Sequence, residues 1–144
     1  MREFLLAILT AFIWGIVPII EKIGLSSKSA EPVAAVVYRT AGSFVFAIGA
    51  LVFILFSSGN LNSIKNMDVK SILILAFAGG LASVFGQIFF YMALKSGNAS
   101  VVTPVAGAFP LVTFIFGVLL LGEAITLPKV IGILLIVSGV IFLK

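Results

Sequence analysis

Gln87 is the most polar residue near the middle of any long apolar run in the chain, and Ser83 and Tyr91 stand four residues to either side of it. On an α-helix that spacing puts all three on one face. An amide, a hydroxyl and a phenol there offer both donors and acceptors to a polar solute. Thr10, Trp14 and Pro18 repeat the spacing of four in an earlier run, Tyr38, Arg39 and Ser43 fall in the next, and Thr103 precedes Pro104 in a later one. An unpaired polar group in hydrocarbon is costly, so Trp14, Tyr38, Ser83, Gln87, Tyr91 and Thr103 are the candidates for lining a substrate cavity. Each has a structural alternative: a bond back to its own helix for serine and threonine, an interhelical bridge for Gln87, packing for Trp14, and anchoring at the membrane interface for Tyr91.

Three charged residues are candidates for charge recognition or coupling. Arg39 lies eight residues after Glu31, about 12 Å along a helix, deep for a loop charge yet shallow enough to snorkel. It would attract an anionic group or pair with Glu21 or Glu123. Glu21 is either a proton site in a wet vestibule or a simple interface charge beside Lys22. Covalent catalysis finds no support. The chain has no His and no Cys, its five acidic residues are dispersed, and no Walker A run or cofactor motif occurs, so neither a metal site nor a cofactor is expected. The nine basic residues are scattered from Arg2 to Lys144 rather than clustered, which argues against a nucleic-acid track and for anionic headgroups and orientation signals.

The elements that must position these residues are membrane spans. Of the 144 residues 62% are hydrophobic and 10% charged, against about 25% charged in soluble domains. An interior of this size cannot hide that much apolar surface. Five apolar runs predict helices over 4–25, 32–56, 71–94, 99–121 and 127–143. Runs of this length suit helices rather than transmembrane strands, whose edges lipid cannot satisfy. The first run has Arg2 before it but no small-residue cleavage site and polar domain after it, so it is expected to be retained rather than removed as a signal peptide. Glu31-Pro32 reads as the start of the second helix, Lys70 or Ser71 as the start of the third, and Thr126 as a cap for the fifth with Pro128 in its first turn. SSGNLNSIKNMD is the longest polar connection, and Lys144 is expected at the interface. Pro18, Pro104 and Pro110 are expected to bend or unwind their helices. Ala7, Ala11 and Gly15, then Gly79, Gly80 and Ala82, then Gly132 and Gly139, are small residues suited to close helix approach.

AFIWG in the first run, AEPVAAVVYRTAG in the second, and YMALKSGNASVVTPVAGAFPLVTFIFGVLLLGEAITLPKVIGILLIVSGVIFL through the last two resemble a single EamA domain of the drug/metabolite transporter superfamily, over nearly the whole chain. The resemblance implies an all-α, five-helix membrane bundle acting as a half-transporter, because larger relatives hold two such repeats of opposite orientation around a central cavity. It also implies secondary transport or export of small metabolites, amino acids among them, in the cell membrane. Related small multidrug transporters carry a carboxylate inside the first helix; the corresponding TAFIWG here has none, which leaves lipophilic-cation export as the alternative rather than the first reading. Five crossings would put Arg2, Lys65, Lys70 and Lys129 on one side and Lys22, Lys28, Arg39, Lys95 and Lys144 on the other. Four against five is almost no orientation bias. An antiparallel homodimer is therefore expected, with a heterodimer of homologous half-transporters, or a membrane subunit that transports nothing, as the competing assemblies.

Overall fold

The computed structural model describes residues 2–58 and 66–143. Most of the polar connection, with Lys65 and the terminal Lys144, lies outside those residues. The described residues are helical with short connections: α1 (Arg2–Leu25), α2 (Pro32–Ser58), α3 (Val69–Gly80), a π-helical segment (Leu81–Gly86), α4 (Gln87–Ser96), α5 (Ala99–Ala106), α6 (Pro110–Leu121) and α7 (Leu127–Phe142). Four helical runs, Glu3–Leu25, Pro32–Ser57, Val69–Ser96 and Ala99–Leu121, are long and apolar enough to cross a membrane, with mean hydropathies of 2.1 to 2.2. The fifth, α7, has 16 residues and rises about 24 Å, short of the roughly 30 Å of a hydrocarbon core.

Helix ends follow from local chemistry. Pro32 opens α2, where its missing N–H costs nothing, and the Ala35 N–H closes the first turn on the Glu31 carbonyl at 2.8 Å. The third run begins at Val69, earlier than Lys70 or Ser71, because the Asp68 carboxylate caps it by accepting the Ser71 N–H at 2.9 Å. Thr126 occupies the cap position of α7 with extended backbone, but its side chain makes no capping hydrogen bond. Gly122 ends α6 in the left-handed conformation, φ 66° and ψ 26°, which an L-residue with a Cβ resists.

The chain divides into two compact units, Met1–Ile23 with Ser96–Lys144, and Gly24–Lys95. In the second unit the buried apolar residues are Leu25, Val36, Tyr91 and Leu94, and the Lys95 ammonium donates to the Ala30 carbonyl, tying the end of α4 to the turn before α2. In the first unit the Lys22 ammonium donates to the Gly97 carbonyl at 2.9 Å, tying the end of α1 to the turn before α5. Most other large apolar side chains face outward, Phe46 at 82% and Phe56 at 88% exposure among them. A water-soluble protein does not present such a surface; lipid is its solvent.

Candidate functional site

Within the second unit, Ser83, Gln87 and Tyr91 lie along the less exposed face of the third run: Ser83 and Gln87 are half-buried and Tyr91 is buried. The Tyr91 ring tilts at 41° to that of Phe90, with centroids 6.4 Å apart. Ser83 belongs to the π-helical segment and Gln87 is the first residue after it. Glycines at 79, 80 and 86 bracket that segment and hold the α conformation weakly. A π turn accommodates an extra residue per turn, so the α4 face carrying Gln87 and Tyr91 is rotated by about 100° from the phase α3 would have continued. Tyr38 on α2 is 79% exposed and Arg39 is half-buried. The Ser43 hydroxyl is spent on the Arg39 carbonyl at 3.0 Å.

In the first unit α1 runs unbroken through Pro18, which is buried, while Trp14 is 62% exposed. Thr10 and Ser138 bond back to the carbonyls of Leu6 and Leu134 at 2.9 and 2.8 Å. Thr103 does not: its Oγ1 is buried and, among the described residues, has no hydrogen-bond partner. It stands just before a break in the fourth run. Pro104 lies inside α5, residues 107–109 leave the helix, and Pro110 opens α6. The Gly107 N–H donates to the Thr103 carbonyl at 2.7 Å. A Cβ at Gly107 would sit 3.1 Å from that same oxygen, so glycine permits the close turn.

The third polar locus is the mouth of a groove between α6 and α7. The carbonyl of Gly117 accepts the N–H groups of both Gly122 and Glu123, and this cap folds Glu123 back onto α6. Its carboxylate lies over Gly117, where a Cβ would come within 3.4 Å of Glu123 Cδ. Lys129, from the first turn of α7, donates to Glu123 Oε2 at 3.0 Å and to the Ala124 carbonyl at 3.2 Å. The partner of Glu123 is thus Lys129, not Arg39, because the turn returns the chain beside its own preceding helix. The groove encloses about 420 Å³; Phe109, Phe114, Ile133 and Ile136 form much of its wall.

The EamA-like transporter family model matches residues 1–144. The chain belongs to the EamA-like transporter family. Members of that family are transporters of the drug/metabolite superfamily, and the long apolar helices make this chain a multi-pass membrane protein. It is 38% identical over 82 residues to an uncharacterized protein of Methanocaldococcus jannaschii, an alignment covering 56% of this chain and 60% of that protein. The chain spans less than two thirds of that relative's length. No solved structure matches it.

In this EamA domain the sequence-derived candidates fall in separate units: Tyr38, Arg39, Ser83, Gln87 and Tyr91 in one, Trp14, Glu21, Thr103 and Glu123 in the other. Three of them, Ser83, Gln87 and Tyr91, share a helix face. Sequence reasoning missed Lys129 as a partner and Gly117 as the seat of the carboxylate. The signal was present: an acid and a lysine six residues apart flank the short AIT turn.

Proposed function

We propose that this EamA domain is one half of a secondary transporter for small metabolites, amino acids being the first class to test, and that an oppositely inserted second copy completes it in the cell membrane. The family match over residues 1–144 carries the reading. Support for a substrate path comes from polar groups beside irregular backbone: Ser83 and Gln87 at the π-helical segment, and the unpartnered Thr103 hydroxyl before the 107–109 break. Non-helical backbone at membrane depth is tolerated only where protein or a wet cavity receives its freed groups. Trp14 in one unit, and Tyr38 and Tyr91 in the other, are the aromatic candidates for contact with the solute. Glu21, Arg39 and Glu123 are the charged candidates for coupling.

The Lys22 and Lys95 bridges favour alternating crossings, since each joins a span's end to a turn expected on the same membrane face. We take α7 as the fifth crossing, its shortfall absorbed by modest local thinning of the bilayer. Nine basic residues divided four to five give little orientation preference, which favours dual insertion and an antiparallel homodimer, with exchange of the two subunits' conformations moving the solute.

Purified protein in liposomes, offered a mixed metabolite pool and read by mass spectrometry, tests transport. Uptake of one solute class is expected, with Gln87→Leu raising its KM several-fold while the dimer still assembles. Failure of every class to cross in a folded dimer assigns the chain to a non-transport membrane subunit. A cysteine at Gly97, labelled from each side of intact vesicles, is expected to react from both, and to shift to one side when two lysines are added between Asn60 and Lys65. One-sided labelling of the unmodified chain rejects the antiparallel homodimer in favour of a homologous, separately encoded partner.

A further inference from the structure

We propose that the groove between α6 and α7 holds one phospholipid, its tail along the apolar wall and its headgroup, bearing a phosphate and a primary ammonium, against the Lys129–Glu123 pair. The groove lies wholly within one unit and is open: Phe109 is 55% and Ile136 38% exposed. Its volume of about 420 Å³ lies in the range of small-molecule sites, about 300 to 1,000 Å³. It follows α6, a helix of 12 residues and thus about 18 Å long. Gly132 lines it, and a Cβ there would meet nothing within 4 Å.

Polarity is confined almost entirely to one end. Apart from the Thr113 hydroxyl, the side chains along the groove are apolar until Glu123 and Lys129 at the turn. A polar metabolite would leave most of its groups unpaired there, whereas an apolar tail loses nothing. The pair at the mouth is half exposed, at 43% for Lys129 and 52% for Glu123. Its net charge is zero, which disfavours a headgroup of net charge. Of the three N–H donors of the lysine ammonium, Glu123 Oε2 and the Ala124 carbonyl take two, leaving one for a phosphate oxygen. The carboxylate keeps acceptor capacity beyond its bond to Lys129, suited to N–H donors from an ammonium. Ethanolamine supplies both halves in one neutral headgroup. Choline has no N–H to give, and a glycerol headgroup sets its phosphate anion beside Glu123 without a compensating cation.

The test is native mass spectrometry of the full chain titrated separately with phosphatidylethanolamine, phosphatidylcholine and phosphatidylglycerol of identical tails. One ethanolamine lipid per chain is expected, preferred about tenfold over the other two, the scale of one charge-assisted hydrogen bond. Neutralising the mouth with Glu123→Gln and Lys129→Gln together should erase that preference while retaining tail binding. Gly132→Leu adds a side chain to the groove lining and should lower retention of all three lipids, whereas Gly139→Leu, which also has open space but lies outside the groove, should not. Far-UV circular dichroism verifies that each variant is folded; if Gly132→Leu is not, the headgroup preference of the neutralised pair decides. Equal retention of the three lipids by the unmodified chain overturns the proposal, as does a preference that survives neutralisation. A dimer that excludes lipid while the monomer binds it assigns this face to a second copy and overturns it as well.

Discussion

Gly122 offers a test of backbone geometry free of packing. Its φ is +66°, the only positive φ found among the described residues, and a Cβ added there would meet no atom within 4 Å. Crowding therefore contributes nothing to the cost of a substitution; conformation does. An L-residue in the left-handed region loses about 1 to 2 kcal/mol. Against that, Gly→Ala removes unfolded-state entropy worth about 0.4 to 1 kcal/mol. Gly122→Ala should thus destabilise by a net of about 1 kcal/mol, roughly fivefold in the folding equilibrium. Asparagine enters the left-handed region more easily because its side chain bonds locally, so Gly122→Asn should cost about half as much despite its larger side chain. The assay is reversible unfolding in mixed micelles with increasing denaturing detergent, followed by far-UV circular dichroism. The order Gly, Asn, Ala from most to least stable supports the argument. A loss that instead grows with side-chain volume, Asn worse than Ala, refutes it and places the constraint in packing.

Three more outcomes follow from the same connections. Lys129→Met should cost no more than about 1 kcal/mol, because the ion pair is half exposed on both sides, measured in the same unfolding assay. Gly117→Leu should push the Glu123 carboxylate off α6, whose Cδ is already 3.4 Å from an added Cβ; combined with Lys129→Met the losses should be less than additive, by about 0.5 kcal/mol in a double-mutant cycle. Asp68 is held below the ordinary carboxyl range by its hydrogen bonds with the Ser71 side chain and backbone N–H. A depressed folded-state value means that its contribution is present above the unfolded value and is lost as pH falls through the folded one. Asp68→Asn should keep the cap and flatten that acid limb in a pH series of unfolding midpoints, while Asp68→Ala should lower stability at neutral pH.

The fold was legible where apolar length decides it. Once a run such as Phe4 to Ile20 must avoid water, the backbone has to satisfy itself, and helix is the one local solution. Ends were legible where one residue dictates them, as with Pro32 and Gly122, and missed where two cooperate: the Asp68 cap depends on the Ser71 N–H three residues later. Thr126 shows the converse. Its type suits a cap and its backbone takes the cap conformation, yet its side chain makes no capping hydrogen bond, which residue type cannot reveal.

The polar candidates were legible as a set of types and illegible as a geometry. Spacing of four put Ser83, Gln87 and Tyr91 on one face under the assumption of a uniform α-helix. The face exists, but it begins in a π-helical segment whose sequence, LASVFG, has no signature beyond its bracketing glycines. The face's phase relative to α3 is therefore a property of the backbone, invisible to periodicity. Pro104 acts in the same indirect way. Its missing N–H weakens the helix locally, but the chain leaves α geometry at 107–109, where Gly107 alone can approach the Thr103 carbonyl closely enough. Among the described residues the Thr103 hydroxyl is unpartnered, whereas Thr10 and Ser138 are satisfied by the carbonyl four residues back. In both interrupted spans a polar group stands beside the break; Pro104 and Pro110 mark one break in the sequence, whereas nothing but the glycines beside LASVFG marks the other.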